Sequence, residues 1–75
     1  MNDQVLKSFF DSHTAGSTKF TRRMAINIAD FFGVTPKEVV KKLEAMTLLK
    51  KGSWDWFVEN GGITKEHIEQ VRAER

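Results

Sequence analysis

His13 and His67 are the only histidines in the chain, and there is no cysteine. Neither histidine has a second imidazole or a thiolate at ligand spacing, so a zinc site lacks a donor set. Without thiols there is also no disulfide to staple the fold. Ser12 directly precedes His13. A nucleophile, however, needs a base opposed to it and a third group that orients the base, which adjacency in sequence does not supply. Gly16-Ser17-Thr18-Lys19 has the composition of a phosphate loop, yet the second glycine is missing and the lysine follows the hydroxyl residues instead of preceding them. The 10 carboxylates are scattered over surface helix positions with no paired acid and base. No enzymatic activity, metal or cofactor is expected.

What remains is positive charge. Residues 19–51 hold Lys19, Arg22, Arg23, Lys37, Lys41, Lys42, Lys50 and Lys51 against Asp30, Glu38 and Glu44, eight basic and three acidic side chains, a net +5. The two flanks together carry four basic and seven acidic residues, a net −3. A positive centre between acidic ends suits a surface that meets an anion, and equally a charged, solvated helix face.

The elements that must position these cations are helical. The chain has 75 residues, which makes one domain, residues 1–75, whose core must draw on nearly all its large apolar side chains. Val5, Leu6, Phe9 and Phe10 form a helical stripe over residues 3–11, and residues 12–20 have the composition of a loop. Thr21 is placed to cap a second helix over residues 22–32, with Met24, Ala25, Ile28, Ala29, Phe31 and Phe32 as its apolar face and Gly33 at its end. Thr35, Pro36 and Glu38 make a capping box with a preset first turn. The helix that follows, residues 36–47, turns Val39, Leu43 and Met46 inward. Lys37, Lys41 and Glu44 lie opposite, with Val40 and Lys42 on the flanks, and Glu38 stands four residues from Lys42, a spacing that pairs charges on a helix. After Lys50-Lys51-Gly52, Ser53 either caps a helix with Trp54, Phe57 and Val58 on one face, or residues 48–58 form a β-hairpin. The apolar spacing favours the helix. Gly61-Gly62 ends it, and Thr64 caps a last helix with Ile68 and Val71 inward. The expected fold is all-α, a compact bundle of four to five short helices.

The run Ile28-Ala29-Asp30-Phe31-Phe32-Gly33-Val34-Thr35-Pro36-Lys37-Glu38-Val39 resembles the helix-turn-helix family over about residues 21–51. In that resemblance Ala29 lies where two helices cross closely, Gly33 makes the turn, Val34 plugs the space between the helices and Val39 packs on the first helix. The continuation through Leu43, Met46 and Leu48-Leu49 looks like the winged-helix branch, in which a strand follows the recognition helix. The resemblance implies duplex DNA as partner and residues 36–47 as recognition helix, with Lys37 and Lys41 reaching base edges or phosphates. Thr35 and the N–H groups beside it would hold a phosphate. Arg22, Arg23, Lys42, Lys50 and Lys51 would make flanking phosphate contacts. The exposed side of this helix has no Arg, Asn or Gln, the bidentate base readers, and Glu44 stands in line with its lysines.

Trp54 and Trp56 are two apart and cannot both face one core on a helix. With Trp54 inward, Trp56 either covers an edge or anchors a partner. The alternative function is therefore a protein-interaction module that contacts another protein through Trp56, as small phage and mobile-element chains do with host proteins, the helix-turn-helix serving as scaffold. Phe9-Phe10 and Phe31-Phe32 are expected in the core. The acidic, amphipathic last helix offers a face for a homodimer. No apolar run approaches a membrane span and no signal-peptide pattern opens the chain, so the expectation is a cytoplasmic protein with no membrane partner.

Overall fold

The computed structural model describes residues 1–15 and 19–75; Gly16, Ser17 and Thr18, part of the loop expected over residues 12–20, lie outside the described residues. The described residues form five helices and no strand: α1 (Asp3–Thr14), α2 (Arg22–Phe32), α3 (Pro36–Ala45), α4 (Ser53–Glu59) and α5 (Lys65–Ala73). Among the described residues no helix is long and apolar enough to cross a membrane.

Local chemistry accounts for most helix starts. The Asn2 side chain accepts from the N–H groups of Gln4 and Val5. Thr21 accepts from Met24 at 3.3 Å and Thr64 from His67 at 3.2 Å. At α3 the box is reciprocal: Thr35 Oγ1 accepts from the Glu38 N–H at 3.2 Å, and the Thr35 N–H donates to Glu38 Oε2 at 3.0 Å. Gly33, at φ 69°, closes α2, and the Val34 N–H reaches back to the Ala29 carbonyl at 3.0 Å. Only the short Gly33-Val34-Thr35 turn then separates α2 from α3.

Helix α1 runs three residues past its expected end. Its last turn uses Thr14, whose hydroxyl donates to the Phe10 carbonyl at 2.8 Å, and His13, whose Nδ1 lies 2.8 Å from the Phe9 carbonyl. These polar side chains look like loop in a propensity reading and are instead held against the helix itself. The hairpin alternative for residues 48–58 does not occur, because α4 is helical and puts Trp54 and Phe57 on one packed side. Ser53 is not the cap of α4. Gly52 holds that position at φ 93°, and the Ser53 hydroxyl donates to the Lys50 carbonyl at 2.6 Å.

Helix α2 is the hub. Leu6, Ile28, Ala29, Val39 and Leu43 form one buried cluster joining α1, α2 and α3, and Ala25, Val40 and Phe57 form a second joining α2, α3 and α4. Each fully buried Leu, Ile or Val contributes about 1.5–3 kcal/mol by leaving water. Val40 is therefore a core residue, fully buried beneath α4, and not a flank of α3. Phe9, Phe10 and Phe32 pack on the first cluster, whereas Phe31 is 61% exposed and Val58 55%. Ile28, Ala29 and Phe32 already fill the inward side of α2, so Phe31 leans outward on Phe9, ring centroids 4.3 Å apart.

Helix α5 docks on α2 through buried Val71 and through charge. Asp30 accepts from Arg72 Nε at 3.0 Å and Nη2 at 2.7 Å, and from Arg75 Nη2 at 2.5 Å. The Arg72 hydrogen bond is the main reason its carboxyl is held at about 2, below the usual 3.8, against the opposing effect of burial. A folded value below the unfolded one means that this stabilisation is full above about pH 5 and fades as pH falls through 3.8 toward 2. It amounts to at most about 2 kcal/mol, less in salt because both arginines are half exposed. Asp30→Asn is expected to lower the urea midpoint at neutral pH and to bring the two proteins together at the acid end of that window. Parallel midpoints across the range would remove Asp30 from this role.

Candidate nucleic-acid interface

The eight positions expected to meet DNA divide by what they touch inside the molecule. Arg22 is half-buried, and its guanidinium donates from Nε to the Gly62 carbonyl at 2.8 Å and from Nη2 to the Asn60 carbonyl at 3.0 Å. It thereby ties the start of α2 to the end of α4, where carbonyls lack helical partners. Arg23 pairs with Glu74 beyond α5. Lys42 does not pair with Glu38, which the capping box holds; its Nζ lies 3.2 Å from Asp3 Oδ1 at the start of α1. Thr35 is engaged as the α3 cap, with the Glu38 carboxylate seated at the same helix end. A carboxylate there already satisfies the N–H of Thr35 and places negative charge where a phosphate would have to sit.

Lys37, Lys41, Lys50 and Lys51 are different. All four are exposed, and no carboxylate among the described residues lies within ion-pair distance of any of them. Lys37 and Lys41 share the outer side of α3 one turn apart, because Val39, Val40 and Leu43 turn inward on two neighbouring helices. Lys41, Lys50 and Lys51 line one shallow cleft of about 780 Å³ together with Ala45, Leu48 and Leu49. The loop that brings Lys50 and Lys51 there folds back where α3 stops. Thr47 takes a left-handed φ of 60°, and the Leu48 N–H returns to the Leu43 carbonyl at 3.0 Å.

No family model matches this chain, and neither a curated protein nor a solved structure does.

Glu44 lines the lysine cleft, and its carboxylate is committed elsewhere. Oε1 accepts from the Gly52 N–H at 2.7 Å and Oε2 from the Trp54 N–H at 3.2 Å. Gly52 has no side chain to cap α4, and Glu44 does so from the preceding helix. The acid that stands in line with the α3 lysines is thus directed at the α4 backbone. Local spacing held no signal for this, since the partners are eight and ten residues away.

Beside the loop lies a second cleft of about 530 Å³, lined by Phe10, Phe20, Leu48, Leu49, Trp56 and Phe57, with Lys50 and Ser53. Trp54 packs into the α2–α3–α4 cluster, and Trp56 is 57% exposed. Sequence reasoning identified Trp56 but not the aromatic wall around it, because Phe10 and Phe20 come from the far end of the chain.

Proposed function

We propose that the chain is a small, non-enzymatic DNA-binding module of helix-turn-helix type, in which α2, the Gly33 turn and α3 form the motif and α3 meets duplex DNA. The observation that carries this reading is the set of four exposed lysines without an ion pair, Lys37, Lys41, Lys50 and Lys51, on α3 and the loop after it, while Arg22, Arg23 and Lys42 are spent on contacts inside the fold. Cations kept free of partners on one element are what a polyanion requires, and neutralising phosphates releases counterions whatever the sequence. With no Arg, Asn or Gln on its outer side, α3 holds the backbone more than it reads bases. The contacts are then mainly positional, and a regulatory role would rest on where the protein is recruited.

The test is the binding of a short random-sequence duplex followed by fluorescence anisotropy over a range of salt. Four phosphate contacts give a log–log slope of about −3 to −4. No detectable binding at low salt and tens-of-micromolar protein rejects the proposal.

A further inference from the structure

We infer that this surface takes DNA in which a base is unpaired, at a gap, bulge or single-stranded end, and that the unpaired base stacks on Trp56 in the aromatic cleft. The inference rests on the DNA-binding reading above and adds the class of DNA to it.

Packing does not account for Trp56. Phe57, its neighbour in α4, is 3% exposed in the core, so the helix rotates Trp56 outward, where 57% of its surface faces water. Its ring meets that of Phe57 at 5.3 Å between centroids and an angle of 79°. A large exposed ring that lines an apolar cleft offers a stacking platform, and the cleft volume, about 530 Å³, lies in the range of small-ligand sites. The cleft adjoins the lysine surface: Leu48, Leu49 and Lys50 line both. A strand whose phosphates pass Lys41, Lys51 and Lys50 is thereby led to the Trp56 ring.

Charge and shape together select the occupant. Unpaired lysines call for a polyanion, and an aromatic platform calls for a planar ring; nucleic acid with an accessible base supplies both. An intact duplex supplies only the first, since its base faces are stacked on one another. The absence of bidentate readers on α3 agrees with selection by strand structure and not by sequence.

The experiment compares an intact duplex with the same duplex carrying a short central gap, using the whole protein at one low salt concentration, with anisotropy for affinity and intrinsic tryptophan emission as a second signal. The gapped duplex is expected to bind about tenfold tighter and to quench emission, leaving the signal of packed Trp54. Trp56→Ala is expected to abolish the tenfold preference and the quenching while leaving intact-duplex affinity and the circular dichroism unchanged, and Trp56→Phe to keep most of the preference. Equal affinity for both probes without quenching overturns this inference and leaves the DNA-binding reading in place. Binding to neither overturns both. Polyglutamate that binds and quenches where DNA does not also overturns both, in favour of an acidic protein partner.

Discussion

Lys37→Glu combined with Lys41→Glu is expected to weaken duplex binding roughly a hundredfold or more at moderate salt, with helicity unchanged. Each reversal removes one phosphate contact and puts a repulsive charge in its place, so the loss exceeds that of neutral substitution. The fold has no stake in either side chain: both are exposed, and neither has a hydrogen bond or ion pair among the described residues. Lys37 lies in the first turn of α3, where a carboxylate is favoured by the helix dipole. The Thr35–Glu38 box that starts the helix is untouched. Lys65→Glu on α5 is the matching control, a reversal of one exposed lysine away from the clefts, and little change is expected. Wild-type affinity in the double variant, measured by the same anisotropy titration, would remove α3 from the interface.

Glu44→Ala is expected to destabilise the protein by about 1–3 kcal/mol, a fall in melting temperature on the order of 5–15 °C for a domain of this size. Two N–H groups of the α4 start lose their acceptor, and Gly52 has nothing to offer in exchange. The change is otherwise favourable to α3: a carboxylate in its last turns opposes the helix dipole, and alanine has the best helix propensity. The net loss is therefore a measure of the α4 cap. Glu44→Gln, with one acceptor oxygen in place of two, should fall between. Trp54, whose N–H is one of the donors, should shift its emission to the red as α4 frays. Removing the acid from the lysine cleft should also tighten DNA binding, so stability and affinity move in opposite directions. A variant that melts with the wild type would show that the two hydrogen bonds carry no net stability.

These two sites show what a single sequence makes legible. Thr35, Pro36, Glu38 and Gly33 act within one turn of where they stand, so the boundaries of α3 and the end of α2 follow from residue type and spacing. Lys37 and Lys41 follow as well, because a helix projection needs only Val39 and Leu43 inward. The projection failed at Val40, where a second helix, α4, covers α3 from the side. It failed at Phe31 because the partners that fill the inward side of α2 are not encoded near it. The partners of Arg22, Arg23 and Lys42, which are Asn60 and Gly62, Glu74, and Asp3, lie some forty to fifty residues away, beyond the reach of local spacing. Charge composition records how many cations there are; only tertiary structure divides them into those used up and those left over.

The order in which the helices pack also bears on how the protein is made. Helices α1 and α2, α2 and α3, and α3 and α4 are neighbours both in sequence and in space, whereas α5 reaches back past two helices to α2. Neighbour packing closes only short loops and costs little chain entropy, the topology of fast folders. The residues that line the lysine cleft all precede α4 in the chain. The last helix closes the bundle as a clasp, fastened to α2 by Asp30.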